Sequence, residues 1–161
     1  MKLLIIGAGG VGTSAAKIIE RRGAEADWAE KVVVSDYDFE RAKKVANEIC
    51  GGGKFIPEQI NAMDAESIKE VVKKHGITFA MNACDPRMNA TIFDTCLEIG
   101  IGYLDCALTL GTEHPEKPYE LSNIKLGDYQ FAKQKEWEAS GQIALCGSGV
   151  EPGMADVFAK Y

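Results

Sequence analysis

Three glycines near the start of the chain, Gly7, Gly9 and Gly12, stand in the spacing G-x-G-x-x-G between an apolar run, Leu3-Leu4-Ile5-Ile6, and a helical pattern. Each position asks for glycine for its own reason. Gly7 permits the tight turn from strand to helix, Gly9 lets the backbone come close to an anion, and Gly12 lets the new helix pack on the first strand. The free N–H groups of the first helical turn, at Gly10 and Val11, and the positive end of the helix dipole then face that anion. The chemistry served by this arrangement is the binding of a dinucleotide through its pyrophosphate. A purely structural glycine turn can show the same three letters; the strand before them and the helix after them add the weight here.

Further polar residues fall where such a ligand would need them. Asp36 closes the β-branched run Lys31-Val32-Val33-Val34-Ser35-Asp36, 24 positions after Gly12. An acid there can hold the hydroxyls of the adenosine ribose. The competing role is a turn or helix cap, for which Asp38 is better placed. The charge also bears on cofactor choice: a carboxylate about 4 Å from a 2′-phosphate costs about 4 kcal/mol at an effective dielectric of 20, nearly three decades of affinity. NAD is therefore favoured, with NADP as the alternative. Tyr37 stands where an NADP site would more usefully carry arginine, although Arg41, a helical turn away, could compensate.

Asn82-Ala83 lies beyond the fourth predicted strand, on the carboxyl edge where ligands bind in open α/β sheets. Asn82 offers both donor and acceptor, and a small residue at Ala83 leaves room for the dinucleotide; Asp85-Pro86 could equally just initiate a turn. Asp64, followed by Ala65, comes after the third strand at the adenine end, able to cap its helix and to reach the adenine. Asp105, in Tyr103-Leu104-Asp105-Cys106, falls on the same edge near the nicotinamide end. It could position substrate or orient a proton relay, or cap the loop that follows. Cys106 reads as a packed thiol, His75 as a helix-end residue and His114 as a solvated loop residue.

The elements that must position these residues alternate along the chain. Strands are predicted at residues 2–6, 31–36, 54–60, 77–82, 102–106 and 142–146, and helices at 11–22, 39–49, 64–74, 88–99 and 128–140. The first helix has Val11, Ala15, Ile18 and Ile19 at helical period, and the second has Phe39, Ala42, Val45, Ala46 and Ile49 on one stripe. Pro57 lacks an N–H, which places its strand at a sheet edge. Residues 108–127 are polar and break the rhythm. The fold class that follows is α/β: a Rossmann doubly wound parallel sheet of about six strands in the order 3-2-1-4-5-6. Residues 1–153 are expected to form one NAD(P)-binding domain. From Gly153 a further helix begins, with Met154, Val157 and Phe158 facing one way, and residues 154–161 are expected to lead into a catalytic domain outside this chain.

Composition narrows the partners. The 161 residues are 46% hydrophobic and 26% charged, which is ordinary for a folded domain. The formal charge of −6 argues against nucleic acid or an anionic membrane surface as partner. No stretch has the length of a membrane span, and a strand beginning at residue 2 leaves no room for a secretory leader. Five cysteines without a C-x-x-C, beside two histidines, suit reduced thiols in a cytoplasmic protein; no metal site is expected.

Taken together, Gly7-Ala8-Gly9-Gly10-Val11-Gly12, Asn82-Ala83, Tyr103-Leu104-Asp105 and above all Gly147-Ser148-Gly149-Val150-Glu151-Pro152-Gly153 resemble the cofactor domain of saccharopine dehydrogenase-like oxidoreductases. Glu151 stands where that family usually has Asp. The resemblance implies hydride transfer between a nicotinamide and a C–N bond of an amino-acid-derived imine or secondary amine. It implies Asp105 and Glu151 as catalytic candidates, able to hold a substrate ammonium or pass a proton. It further implies a small-molecule amino-acid-type substrate whose carboxylates meet arginines and lysines of the second domain, and a homodimer formed through that domain. Residues 108–127 are most similar to the carboxynorspermidine synthase branch, which usually prefers NADPH and lacks an acid at the end of strand two; Asp36 departs from it. A second reading is a regulatory NAD(H)-sensing domain of the potassium-transporter gating type, which shares the glycine motif and an acid after strand two. The Gly149-to-Gly153 exit and the final helix speak against it.

Overall fold

Strand β1 (Lys2–Ile6) is apolar at successive positions because both of its faces are covered. In the computed structural model, which describes residues 1–160, it lies at the centre of a parallel sheet. On one side it pairs with β2 (Lys31–Asp36), which pairs in turn with β3 (Phe55–Gln59). On the other side come β4 (Phe79–Asn82) and β5 (Gly102–Asp105). A hairpin of β6 (Thr112–Glu113) and β7 (Ser122–Ile124) stands apart, and β8 (Ala144–Leu145) closes the sheet beside β5. The six-stranded order is β3-β2-β1-β4-β5-β8, the expected 3-2-1-4-5-6 with the hairpin strands interposed in numbering. Pro57 sits in β3, at the edge, opposite Val34.

Alternation along the strands splits the core in two. Leu4, Ile6 and Val33 pack on one face with Ile68, Val72, Ile92, Phe93, Tyr103 and Trp137. Leu3, Ile5, Val32 and Val34 pack on the other with Ala16, Ile19, Val45 and Ala46. The first layer belongs to α3 (Ala65–His75), α4 (Asn89–Ile99) and the short helices α5 (Asp128–Ala132) and α6 (Gln134–Ser140). The second belongs to α1 (Gly10–Arg21) and α2 (Phe39–Lys43), which runs on as a wider π-turn over Lys44–Ile49. Helix α7 (Met154–Lys160) ends the described chain.

Several expectations are corrected. The buried line of α1 is Gly12, Ala16 and Ile19, while Val11 and Ile18 are about half exposed. Small residues let α1 approach the sheet closely, so the contact line follows them and the bulkier apolar residues fall on the flank. Phe39, at the first turn of α2 beside the carboxyl edge, is exposed rather than part of the buried stripe. The helix expected at 128–140 breaks at Lys133, whose backbone leaves the helical region (φ −95°, ψ 11°). Residues 108–127, the polar segment that breaks the rhythm and for which no strand is predicted, contain the β6–β7 hairpin. Met154, Val157 and Phe158 of α7 are all exposed.

Candidate functional site

The turn from β1 to α1 is held from several sides. Gly7 N donates to Ser35 O at 2.8 Å, Ala8 N donates to Asp36 Oδ2 at 2.8 Å, and Thr13 Oγ1 donates to Ala8 O at 3.1 Å. Gly7 has φ +103°, and a Cβ on it would come within 2.9 Å of Ala83 O. At Gly12 a Cβ would stand 1.9 Å from Gly7 O. Gly9 and Gly10 differ: a Cβ at either would meet nothing within 4 Å. Two of the glycines are therefore demanded by packing, and two face open space. The first turn of α1 carries no acidic residue, and its leading N–H groups have no intrahelical acceptor. The turn has the shape and the donors of a phosphate cradle.

A cavity of about 420 Å³ opens beside it at the carboxyl edge, walled by Gly7 and Gly9 and by the chain leaving β2, β3 and β4. Asp36 lies in its wall. Besides Ala8 N, its carboxylate accepts Asp38 N at Oδ1 (3.0 Å), and Arg41 Nη1 lies 3.6 Å from the same oxygen. Asp38 caps α2 by accepting Glu40 N and Arg41 N, so the cap that competed with ligand binding for Asp36 belongs to its neighbour. Tyr37 and Arg41 complete the β2 side of the wall.

On the β3 side the structure differs from expectation. Asp64 caps α3 through Glu66 N at 3.0 Å, and neither Asp64 nor Ala65 lines the cavity. The wall is formed instead by Ile60, Asn61, Ala62 and Met63, in a turn tied by Asp64 N to Asn61 O and Met63 N to Asn61 Oδ1. The carboxyl-edge rule points to residues immediately after a strand; applied to β3 it would have found them. Val11 does not line the cavity either; what it contributes to the cradle is its N–H.

On the β4 side Ala83, Cys84, Asp85 and Met88 line the cavity, and Asn82 does not. Asn82 is buried, its amide donating to Asn89 Oδ1 (2.8 Å) and Tyr103 OH (3.3 Å) and its Oδ1 accepting Cys84 N (3.0 Å). Its donors and acceptor are spent inside the protein, and what it presents to the cavity is the placed backbone of Ala83-Cys84. Burial pushes the Cys84 thiol up to about 11, aided by the charges of Asp36 and Asp85. At neutral pH it is a thiol that donates to Ile6 O, not a nucleophile.

Asp105 is buried, with 1% exposure, so it does not reach the cleft. It accepts Tyr103 OH at 2.8 Å, Gly147 N at 2.6 Å and Gln130 Nε2, while its own carbonyl accepts Ser148 N at 2.8 Å. Burial drives its carboxyl above the usual range, opposed by those hydrogen bonds. Its role as a substrate-positioning group is corrected: it clamps the loop after β8 to the end of β5. Gly149 of that loop approaches Cys106 O so closely that a Cβ would stand 2.2 Å away. Glu151 is exposed, and no hydrogen bond or ion pair among the described residues joins it to Asp105. No group of three or more metal-capable side chains converges among the described residues, and no helix there is long and apolar enough to cross a membrane.

A family model described as the saccharopine dehydrogenase NADP binding domain matches residues 3–145. The chain belongs to that family. It is an NAD(P)-binding domain of the saccharopine dehydrogenase type, with a Rossmann doubly wound sheet. Among curated proteins it is similar to the carboxyaminopropylagmatine dehydrogenase of Synechocystis, 26% identical over 162 residues that cover 99% of this chain and 37% of that protein. It is also similar to the carboxynorspermidine synthase of Vibrio cholerae, 26% identical over 174 residues, 100% of this chain and 39% of that one. The chain thus spans under two fifths of the length of these relatives. Among solved structures, the apo saccharopine dehydrogenase (L-Glu forming) of Saccharomyces cerevisiae superposes with a TM-score of 0.67 at 14% identity, over 98% of this chain and 29% of that one. The dTDP-glucose 4,6-dehydratase of Bacillus anthracis in complex with NAD gives 0.57 at 12% identity, over 91% and 54%. At these identities the structural likenesses show the fold. None of these relatives points to a transporter-gating domain.

Proposed function

We propose that this domain seats the dinucleotide of an oxidoreductase that acts on a C–N bond of an amino-acid-derived imine or secondary amine. The observation that carries the reading is the open cradle at Gly9 and Gly10 above a cavity walled by Asp36 and Ala83. The first-turn amides at Gly10 and Val11 hold the pyrophosphate, and Asp36 takes the adenosine ribose hydroxyls. Tyr37 and residues 60–63 bound the adenine side. Ala83 and Cys84, placed by Asn82, form the floor below the rest of the cofactor. When bound, the nicotinamide supplies or accepts the hydride. The carboxylate of Asp36 makes NAD(H) the better-held cofactor.

The relatives are named for carboxylated amines, which supports a substrate carrying both a carboxylate and a secondary amine or imine. Among the described residues Arg41 is the one cation in the cavity wall; the greater length of the relatives supports a separate domain that supplies further cations for the substrate's carboxylates and mediates homodimer contact. Of the two carboxylates expected to serve ammonium binding or proton transfer, Asp105 is sealed and Glu151 is exposed, which leaves Glu151 for that role. A cytoplasmic location suits five free thiols. Titrating the 161-residue chain with NADH, followed by nicotinamide fluorescence, tests the reading. Saturable binding without turnover of an amine substrate is expected; absence of NADH binding by the folded chain would overturn it.

A further inference from the structure

The two edges of the sheet are guarded unequally. At the β3 edge Pro57 removes a backbone donor and Glu58 adds a charge, held by Lys74 and His75; both discourage pairing with a further strand. At the other edge the run Gln142-Ile143-Ala144-Leu145-Cys146, which contains β8, has neither charge nor proline. Ile143 and Leu145 are 63% and 49% exposed. All five residues of this run wall a second cavity, of about 680 Å³, beside α5 and α6. Successive side chains of a strand point to opposite faces, so a cavity that meets all five runs along the edge of the strand. The backbone there has bonding capacity left. Tyr103 N donates to Ile143 O at 2.9 Å, which turns the polar groups of Ile143 and Leu145 toward β5 and those of Ala144 outward.

We propose that β8 pairs with β8 of a second copy of this chain, antiparallel about Ala144, so that two sheets join into one. The edge is complementary to itself in that register. Ala144 meets its own counterpart as a hydrogen-bonded pair, exchanging N–H and C=O across a two-fold axis. Ile143 faces Leu145 of the second copy, and Gln142 faces Cys146. The exposed apolar pair is thereby covered on one face of the joined sheet, and no like charges meet within the strands. The small side chain of Ala144 leaves room at the axis, where a residue must pack against itself. Glu138, the one charged side chain in the cavity wall, accepts Gln134 Nε2 at 2.8 Å. Repulsion between two copies of charge −6 is screened beyond about 8 Å at physiological ionic strength. The contact is separate from the dinucleotide cavity, whose wall contains no residue of β8, and it is made by this domain alone.

Sedimentation velocity of the 161-residue chain between about 1 μM and about 1 mM tests this, a range that spans the affinities of small interfaces. The mass rises with concentration from one copy toward two, and amide hydrogen exchange over residues 142–146 slows in parallel. A144P removes an outward N–H and leaves the bond from Tyr103 to Ile143 intact; L145K sets a charge on the exposed face. Each weakens the association by about tenfold or more. Leu145 is half exposed, so L145K keeps the fold, with circular dichroism as the check; it decides the matter where A144P does not fold. A chain that stays monomeric throughout overturns the proposal and leaves the edge to a strand of another polypeptide. A dimer that L145K does not weaken, or that forms without slowing exchange at residues 142–146, overturns it in favour of another surface. None of these outcomes bears on the dinucleotide reading, which NADH titration decides by itself.

Discussion

Glycines of one motif can be separated by what surrounds them, and the separation is measurable. At Gly12 an added Cβ would lie 1.9 Å from Gly7 O, so helix and turn must part by about 1.5 Å to reach ordinary contact near 3.4 Å. Over-packing of this kind costs about 1–3 kcal/mol, and at this chain length each kcal/mol lowers the melting temperature by roughly 2–4 °C. Gly12→Ala should therefore melt roughly 2–12 °C below the parent. It should also bind NADH poorly, because the first-turn amides move with the helix. At Gly9 the same methyl meets nothing within 4 Å, and the backbone is already extended (φ −76°, ψ −160°). Gly9→Ala should melt within a degree or two of the parent, yet lose about tenfold or more in NADH affinity, about 1.4 kcal/mol, because the methyl occupies the face the phosphates approach. Thermal melting by circular dichroism and fluorescence titration on the two variants are sufficient. Unchanged NADH affinity in Gly9→Ala would refute the assignment of this turn as the phosphate seat, and unchanged stability in Gly12→Ala would refute the packing argument.

Two further outcomes follow from buried and half-buried acids. Asp105→Asn keeps one acceptor where the carboxylate served three donors, and turns an amide N–H toward either Gly147 N or the Tyr103–Gln130 pair. A loss of about 2–4 kcal/mol is expected, read as a melting temperature roughly 4–16 °C lower; a shift under about 2 °C would show that the clamp carries no weight. Glu58 accepts both Lys74 Nζ and His75 Nε2 at 2.6 Å. Burial pushes its carboxyl up, but those hydrogen bonds and charges hold it below the usual value of 4.5. A lowered folded-state value means stability that is present above 4.5 and lost as the pH falls through the folded value. Urea midpoints of the parent should exceed those of Glu58→Gln near about pH 7 and converge near about pH 3; an equal gap at both would refute the pairing.

The turn was legible in the sequence because it is a demand of the backbone: Gly7 and Gly12 are glycine for reasons that no neighbour can relieve. The strand order was legible for a similar reason, since runs apolar at every position, such as Val32-Val33-Val34, suit only strands covered on both faces. What escaped depends on meetings between distant segments. Nothing local in Tyr103-Leu104-Asp105 announces that Gln130 and Gly147 converge on its carboxylate and seal it. The sequence allows Asp64 to cap its helix alone or to cap it and reach a ligand; in the fold the cap sets its carboxylate on α3 and leaves the preceding turn to form the wall. The stripe of α1 was drawn by hydrophobicity, whereas the sheet selected Gly12 and Ala16 by size. Asp36 ends β2 as its place in the sequence indicates, while its bond to Ala8 N, which ties the end of β2 to the glycine turn, required the fold to be seen.

The strand order has a consequence for how the chain can assemble. β1 comes first in sequence and lies at the centre, and every later strand is laid on an edge that already exists: β2 and then β3 on one side, β4, β5 and β8 on the other. No strand has to be inserted between two paired neighbours. The half-sheet β3-β2-β1 is complete by Gln59, so an emerging chain can close one flank while the other is still being made. Long-range parallel pairing is slow, but growth confined to free edges never requires hydrogen bonds already formed to be broken.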